Sequence, residues 1–380
     1  MNGKRSELRG LEMKTLYIGN YKDRTGWGYA SLNNILALHS AGVNVVPRAI
    51  THNNSHEDVH PVISELEQKS EQDCEVCIYH TLPHLYSYNS NIKNIGFFVT
   101  ETVTFTETMW QKHANLMDEI WVPNSQMVSA CHKSGVKVPI RIAPHSLDIS
   151  KYNNVEDCAS APELDGCFNF CFVGEMVSRK NIEGLLRAFH TEFHPSEPVN
   201  LMMKISKSGH TNDGALAEFK KLSHQVRSSL KIRAEYKDEV AISGHLEERH
   251  LLSLMSKCHC FVMPSFGEAW CIPALESMAI GMPVIYTSGT GMDDFCHGWG
   301  VESSAVPCYG SLDSLQSMYT SHTKWMEPSI EHLASAMRVA YETHKNNPKK
   351  YEETCAKAKL KAKNYSNEVV GQKLKELLYV

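Results

Sequence analysis

The sequence predicts an α/β protein with two Rossmann-like domains, each built on a doubly wound parallel sheet. Strand-like apolar runs alternate with helix-like segments through both halves of the chain, which is the pattern of parallel strands joined by crossover helices. A polar stretch at residues 150–166 indicates a boundary between the halves. The 380 residues, 42% of them apolar, are enough for two hydrophobic cores. We therefore expect domains at residues 13–148 and 149–364.

Composition argues against several classes of function. The net charge of −5 gives no reason to expect a nucleic-acid partner. No apolar run approaches the roughly 18 residues of a membrane span, and residues 1–12 are polar, as in a loose leader. Residues 52–75 are acidic, so any membrane association is expected to be peripheral at most. The twelve dispersed cysteines indicate free thiols, and we expect a cytoplasmic protein.

The strongest site signal lies in residues 261–285. An apolar run ending at Pro264 predicts a buried strand, and Pro273 and Gly281 predict the start and end of a helix. Glu268 lies in the loop between the two elements. Because ligands of open parallel sheets bind beyond the carboxyl ends of the strands, we expect this loop to line a site.

Two carboxylates, Glu268 and Glu276, are placed eight residues apart across this loop and the first turns of the helix. That spacing allows both to face one cleft. A carboxylate accepts paired hydrogen bonds from the vicinal hydroxyls of a ribose or hexose, and the N–H groups of the helix start suit a diphosphate. A solvated loop glutamate beside a glutamate that favours the helix dipole explains the same pair without a ligand.

The same stretch resembles the donor-site signature of family-4 retaining glycosyltransferases with the GT-B fold. The match consists of SFGE at 265–268, PALESMA at 273–279, Gly281, and PVI at 283–285. The resemblance implies two domains facing a central cleft, a nucleotide diphosphate sugar as donor, and a glycan or other hydroxyl acceptor. It also implies that Glu268 contacts the sugar hydroxyls and Glu276 the ribose. A C-terminal helix at 365–380 is expected to cross back to the N-terminal domain.

Three residues after Glu268 depart from the family pattern. Ala269 and Cys271 stand where the family usually has glycines, with Trp270 between them. In the family the backbone amides of this segment approach the donor sugar closely, and a side chain narrows that space. We place Ala269, Trp270 and Cys271 in the donor site.

A phosphate site is predicted in the loop before the helix that starts at Ile182. Arg179 and Lys180 lie in this loop, and because cations at a helix start oppose the helix dipole, a bound anion explains them better than solvation does. The resemblance assigns to Lys180 the neutralisation of the departing diphosphate. The usual family arginine is replaced by Glu175, so either Arg179 supplies the missing charge or phosphate binding is weaker.

Strand ends supply one more candidate contact. Glu101 follows the predicted strand 94–99, at the place where many family members carry a histidine near the anomeric carbon. The resemblance implies a contact between Glu101 and the acceptor or the reacting sugar, and His80 is the second candidate. A salt bridge or helix cap at Glu101, and a hydrogen-bonded polar residue at His80, are the alternatives without a ligand.

Three glycines complete the predicted site. Gly26 and Gly28 form half of a dinucleotide-binding fingerprint, but Ser31 replaces its third glycine. The resemblance implies that their loop approaches the donor phosphates or the acceptor; plain turn residues are the alternative. Gly244 follows a strand along which the family places the nucleobase.

No metal site is predicted. Cys74 and Cys77 have no second pair at zinc spacing, and Asp293 and Asp294 are adjacent, with no Asp-x-Asp in the chain. The resemblance points the same way, since GT-B members mostly use side chains and helix ends where other glycosyltransferases use a metal.

Two functions follow from these observations. The first is transfer of a hexose with retention at the anomeric carbon, carried out by Glu101, Lys180 and Glu268. The second is a non-catalytic sugar-nucleotide or glycan binding protein, favoured by Glu175 and by the side chains at 269 and 271. A nicotinamide-dependent dehydrogenase is disfavoured by the incomplete fingerprint.

Overall fold

The computed structural model describes residues 13–23, 25–50, 60–309 and 318–380. The predicted leader and most of a helix predicted around 312–319 lie outside these residues. The chain divides into two compact units. The first unit comprises the described part of Met1–Val99 together with Thr108–Asp148 and Tyr365–Val380, and the second comprises Thr100–Glu107 and the described part of Ile149–Asn364.

In the described part of the first unit, six parallel strands form a sheet. The strands are β1 (Lys14–Gly19), β2 (Asn44–Ala49), β3 (Val76–His80), β4 (Lys93–Phe97), β5 (Glu119–Val122) and β6 (Ile140–Ile142). Their spatial order is β2-β1-β3-β4-β5-β6, so the direction of winding reverses at β1. This is the doubly wound arrangement that the sequence predicts.

Helices α1 (Gly26–Ser40), α2 (Pro61–Glu67), α3 (Trp110–Ala114) and α4 (Ser125–Lys133) connect these strands. The sequence predicts a helix over residues 29–41, but α1 starts three residues earlier, because the Thr25 side chain caps it by accepting a 3.1 Å hydrogen bond from Gly28 N. The sequence also predicts Ser125 as the cap of α4. The cap is instead Asn124, whose Oδ1 accepts from Met127 N at 2.9 Å, so this prediction is wrong by one residue.

The second unit repeats the architecture. Its parallel strands are β7 (Phe168–Glu175), β8 (Val199–Ser206), β9 (Val240–Ser243), β10 (Cys260–Met263), β11 (Val284–Thr287) and β12 (Gly298–Val301). In the part of the unit that the structure describes, their order is β12-β11-β10-β7-β8-β9. The winding reverses at β7, so the loops after β7 and β10 border the crevice where such sheets bind ligands.

An antiparallel pair, β13 (Ser303–Pro307) and β14 (Lys324–Pro328), is added to this unit. The sequence analysis did not predict it, because both strands are short and partly exposed. The helices of the unit are α5 (Ile182–Glu192), α6 (Asn212–Leu230), α7 (Glu248–Ser256), α8 (Ile272–Ala279), α9 (Ile330–Asn346) and α10 (Pro348–Lys363). The predicted fold class, a two-domain α/β protein with parallel sheets, is confirmed.

The last helix, α11 (Asn367–Leu378), belongs to the first unit. Its buried Val370, Leu374 and Leu378 join the hydrophobic core of that unit. Gly371 permits close packing, because a Cβ there would lie 2.0 Å from the carbonyl oxygen of Ala37 in α1.

Residues 100–107 were expected in the first domain, but they group with the second unit. The backbone explains this placement: Val103 N donates to Lys324 O of β14 at 2.7 Å. Within the described ranges, no helix is long and apolar enough to cross a membrane.

Candidate active site

Charged side chains meet where the second sheet reverses its winding. Arg179 and Lys180 lie in the loop after β7, and Glu268 lies in the loop after β10. Lys180 Nζ is 2.6 Å from Glu268 Oε1, and Arg179 NH1 is 2.9 Å from the same oxygen. A backbone hydrogen bond of 2.8 Å from Phe266 N to Arg179 O ties the two loops together. The structure thus brings three predicted site residues into direct contact.

Burial and charge act in opposite directions on Glu268, which is only 6% exposed. Burial alone would raise the pKa of its carboxyl, but the positive charges of Lys180 and Arg179 outweigh that effect and lower the pKa. The guanidinium of Arg179 is also buried, yet the carboxylates of Glu101 and Glu268 raise its pKa. At neutral pH the site therefore holds an ionised glutamate paired with a charged arginine.

Glu101, which the resemblance predicts near the reacting sugar, extends this cluster. Its Oε1 lies 3.5 Å from Arg179 NH2, and its Oε2 accepts a 2.7 Å hydrogen bond from the Tyr319 hydroxyl. Burial, followed by the charge of Glu101, raises the pKa of Tyr319, so the hydroxyl keeps its proton and donates. Sequence reasoning missed Tyr319, because 218 residues separate it from Glu101 and no motif links them.

Close approach of the backbone explains why residue 267 is a glycine. A Cβ on Gly267 would lie 2.2 Å from the carbonyl oxygen of Glu101. The carbonyl of Gly267 itself accepts a hydrogen bond from Arg179 NH1 at 2.5 Å. Gly291 N donates to Glu268 O at 2.8 Å and anchors the other end of the loop. The loop is therefore held on both sides of the glutamate.

The three residues after Glu268 are all buried. Cys271 has a φ of +70°, in the left-handed region that favours glycine, and it stands where the resemblance leads us to expect one. Burial raises the pKa of its thiol to about 12, so the sulfur stays protonated. Trp270 stacks on Phe295 with ring centroids 4.6 Å apart. The side chains of Ala269, Trp270 and Cys271 are thus packed in the interior of the second unit.

Glu276 has its own partners on α8. The hydroxyl of Tyr152 donates to Glu276 Oε1 at 3.0 Å, and burial raises the pKa of the carboxyl to about 7. Glu276 makes no hydrogen bond or ion pair with the Glu268 cluster among the residues that the structure describes. Sequence reasoning also missed Tyr152, because 124 residues separate it from Glu276 and no motif links them.

The three predicted glycines have different local explanations. Gly244 has a φ of +106°, and a Cβ there would lie 2.5 Å from the Asn212 side chain. A Cβ on Gly28 would lie 1.9 Å from Asp23 O, whereas one on Gly26 would meet nothing within 4 Å. Both Gly26 and Gly28 lie in the first turn of α1 and not in the loop before it, which corrects the predicted start of the helix.

The second candidate at a strand end, His80, is a buried residue of the first unit. Its Nδ1 lies 2.6 Å from the Tyr17 hydroxyl, and its ring stacks on Phe97 with centroids 4.1 Å apart. Burial lowers the pKa of His80 well below its usual value, so the ring is neutral. These contacts match the alternative in which this histidine is a hydrogen-bonded polar residue of the interior.

Glu175, which replaces the usual family arginine, is the last residue of β7. Its Oε1 accepts a 3.0 Å hydrogen bond from Ser208 N. Positive charge in this region comes from Arg179 and Lys180, which lie four and five residues further along. Within the described part of the chain, no three His, Cys, Asp or Glu side chains are grouped so that they could hold a metal ion.

Comparison with known proteins shows that Arg179, Lys180 and Glu268 lie in a part of the chain that matches a protein family. Residues 162–297 match the family model described as glycosyl transferases group 1. A stretch of 123 residues, 32% of the chain, is 27% identical to O-antigen chain mannosyltransferase B of Escherichia coli. That alignment spans 29% of the length of the relative. The family-model match at residues 162–297 contains Arg179, Lys180, Glu268 and Glu276.

Solved structures are similar over almost the whole chain. Anabaena HepE in complex with UDP-glucose superposes with a TM-score of 0.62 at 12% identity, covering 97% of this chain and 99% of that one. Sucrose-phosphate synthase from Thermosynechococcus elongatus has a TM-score of 0.64 at 15% identity, covering 97% and 98%. At these identities the similarity concerns the fold. The resemblance to GT-B glycosyltransferases is confirmed by the sequence match in the second unit and by the shared fold.

Proposed function

We propose that the protein is a retaining glycosyltransferase that moves a hexose from a nucleotide diphosphate sugar to an acceptor hydroxyl without a metal ion. One observation carries the proposal: the buried Glu268 is held ionised by Lys180 and Arg179 where the second sheet reverses its winding. This cluster lies inside the region that matches group 1 glycosyl transferases. The name of the mannosyltransferase relative and the UDP-glucose complex of HepE support a nucleotide sugar as donor.

Glu268 is suited to hold the donor sugar. Lys180 and Arg179 contact the same carboxylate oxygen, Oε1. The other oxygen, Oε2, is then available to accept hydrogen bonds from hydroxyl groups of the hexose. Because the carboxylate is buried and ionised, these hydrogen bonds are stronger than they would be in water.

The two cations are suited to the leaving group. When the bond between the anomeric carbon and the phosphate oxygen breaks, its electron pair goes to the diphosphate, and negative charge accumulates there. Lys180 and Arg179 stabilise that charge, a role that a metal ion takes in other enzymes. The acceptor oxygen attacks the anomeric carbon from the face that the diphosphate leaves. Its proton passes to the departing phosphate oxygen, so the configuration is retained and the charges balance.

The remaining predicted residues take supporting roles. Glu276 holds the ribose, and its pKa of about 7 allows its carboxylate form to accept hydrogen bonds from vicinal hydroxyls at slightly alkaline pH. Glu101 lies beside the reacting sugar, one step from Glu268 through Arg179. The backbone amides of residues 269–271 approach the donor sugar. Gly244 lies near the nucleobase, and Gly26 and Gly28 approach the donor phosphates or the acceptor.

Substitutions at the ion pair test the proposal. Thermal-shift screening against UDP-, GDP-, ADP- and TDP-sugars identifies the donor, because a ligand that binds only the folded protein raises its melting temperature. Glu268→Ala and Lys180→Ala are then expected to lower donor hydrolysis and transfer by about 100-fold each, which is typical for loss of a charged contact to the reacting group. The exposed Lys349→Ala and Glu353→Ala serve as matched controls on α10. Unaltered rates in both site variants would remove the assignment.

Two further measurements address retention and metal use. NMR of the first product formed should show the same anomeric configuration as in the donor, and an inverted product would contradict retention. Turnover should persist after treatment with EDTA, and a loss that Mg²⁺ or Mn²⁺ restores would show metal dependence.

A second candidate function is binding of a sugar nucleotide or glycan without turnover. It is favoured by Glu175 at the usual arginine position, which reduces the positive charge available to the phosphates. It is also favoured by the buried side chains of Ala269 and Cys271, which reduce the space available to the donor sugar. Donor binding by calorimetry, with neither hydrolysis nor transfer across a panel of acceptors, would support this alternative. Turnover that depends on Glu268 would exclude it.

A further inference from the structure

Glu101 is held at both of its carboxylate oxygens. Tyr319 donates to Oε2 at 2.7 Å, while Oε1 lies 3.5 Å from Arg179 NH2. The other terminal nitrogen of that guanidinium, NH1, contacts Glu268 Oε1 at 2.9 Å and the carbonyl of Gly267 at 2.5 Å. Tyr319, Glu101, Arg179 and Glu268 therefore form one continuous chain of polar contacts. Because the guanidinium is planar, fixing one of its ends also sets the direction of the other.

The segment that carries Tyr319 also binds the two loops on which the glutamates lie. Lys324 O accepts from Val103 N at 2.7 Å, two residues after Glu101. Met326 N donates to Phe266 O at 2.7 Å, two residues before Glu268. The ring of Trp325 stacks on Phe266 with centroids 4.9 Å apart. Residues 318–328 thus fix the distance between the two loops through backbone as well as side-chain contacts.

We propose that Tyr319 is a positioning residue of the sugar site: its hydroxyl orients Glu101, and Glu101 aligns Arg179 with Glu268. Its consequences for turnover rest on the proposed glycosyltransferase function. Tyr319 acts through Glu101 and does not itself contact the donor. Its removal leaves all four charged groups of the cluster in place but frees one carboxylate oxygen, so the alignment of Arg179 is lost while its charge remains.

Tyr319→Phe tests this role because it deletes only the hydroxyl. Tyr351→Phe is the matched control, since the Tyr351 hydroxyl donates to His259 O at 2.8 Å in the same unit, outside the site. We expect Tyr319→Phe to lower kcat/KM about 10-fold, mostly through kcat, as befits one hydrogen bond to a charged group that acts indirectly. The control should keep wild-type kcat/KM, and the melting temperatures of the two variants should be similar. Equal kinetics in Tyr319→Phe and Tyr351→Phe would overturn the proposal.

A double-mutant cycle with Glu101→Ala, which removes the acceptor of the Tyr319 hydroxyl, separates positioning from a general loss of packing. If Tyr319 acts through Glu101, adding Tyr319→Phe to Glu101→Ala lowers kcat/KM by less than twofold further. A full additional 10-fold loss would show that Tyr319 acts independently of Glu101, contrary to the proposal.

The same cycle, measured in urea unfolding, needs no substrate. Non-additive shifts in the unfolding midpoint are expected, and additive shifts would contradict the contact on which the inference depends. Wild-type protein that neither binds nor turns over any donor in the panel would refute the proposed function, while this stability cycle would still decide whether Tyr319 orients Glu101. If the wild type turns over a donor but both cycles are additive, the positioning role of Tyr319 is refuted and the proposed function stands.

Discussion

Lys180 Nζ lies 2.6 Å from Glu268 Oε1, although 88 residues separate the two positions in the chain. The contact exists because β7 and β10 are neighbours in the second sheet, and the loop after each strand opens at the same edge. The cation that we assign to the diphosphate and the carboxylate that we assign to the sugar are therefore adjacent. Under the proposed function, a bound donor shares Lys180 between the carboxylate and a phosphate, which couples recognition of the two halves of the donor.

The stability conferred by this pair should depend on pH. Because the folded-state pKa of Glu268 is lowered, its stabilising contribution is present above its unfolded value of about 4.5 and is lost as the pH falls through the folded value. Glu268→Gln is expected to cost about 1–3 kcal/mol in the free energy of unfolding at pH 7, because Lys180 loses its carboxylate partner and Arg179 loses one of its two. Urea unfolding at pH 7 and pH 3.5 should show the difference from wild type narrowing at the lower pH. Glu353→Gln is the exposed control, and a difference that stays constant with pH would contradict the assignment.

Glu276 should behave in the opposite way. Burial raises its pKa to about 7 from the usual 4.5, so the folded protein favours the protonated form. Its stabilising effect is complete below about pH 4.5 and is lost as the pH rises through 7. Glu276→Gln should therefore raise the free energy of unfolding by about 1–2 kcal/mol at pH 8, and the gain should shrink towards pH 4.5. Unfolding curves at pH 5, 6.5 and 8 measure this trend, and a variant that is less stable than wild type at pH 8 would contradict it.

A buried contact between a histidine and a glutamate outside the site offers a stability prediction that is independent of function. His190 Nε2 lies 2.5 Å from Glu239 Oε1, and both side chains are at most 4% exposed. Burial alone would raise the pKa of Glu239, but hydrogen bonds and charge from His190 lower it. His190→Ala should cost about 1–3 kcal/mol, because the buried Glu239 then keeps, among the described side chains, only the hydrogen bond from the Ser223 hydroxyl, which lies 2.7 and 2.8 Å from its two oxygens. The exposed His322→Ala is the control, and an equal loss in the two variants in urea unfolding would contradict the importance of this contact.

The packing of α11 on α1 tests the assignment of the last helix to the first unit. A Cβ at Gly371 would lie 2.0 Å from the carbonyl oxygen of Ala37, so Gly371→Ala must push the two helices apart. We expect a loss of about 1–3 kcal/mol in stability even though alanine favours helix formation. Val369→Ala on the exposed face of the same helix should change stability by less than about 0.5 kcal/mol. Equal melting temperatures for the two variants would contradict the close packing.

Sequence reasoning succeeded where the signal is local or follows from sheet topology. Glu268 and the helix of Glu276 were placed correctly because strand, loop and helix are consecutive in the chain. The approach of Lys180 to Glu268 follows from the rule that parallel strands open their carboxyl ends to one edge of a sheet. No such rule could bring Tyr319 to Glu101.

The misplacements have physical causes of the same kind. Residues 100–107 were expected in the first domain, but they group with the second unit. This irregular segment is tied to β14 by the hydrogen bond from Val103 N to Lys324 O, which no sequence pattern indicates. The start of α1 was missed because the capping role of Thr25 outweighs the low helix propensity of Gly26 and Gly28. The spacing of Glu268 and Glu276 did not predict that Glu276 is bonded to Tyr152.

The most direct test of the central claim is calorimetric titration of the donor found in the screen, and of its nucleotide diphosphate alone, into wild type, Lys180→Ala and Glu268→Gln. Lys180→Ala should weaken both ligands at least about 10-fold, because the diphosphate is common to both. Glu268→Gln should leave the affinity for the nucleotide diphosphate within about twofold of wild type, while the additional affinity due to the sugar is lost. Wild-type affinity for both ligands in both variants would contradict the claim that this ion pair binds the activated sugar.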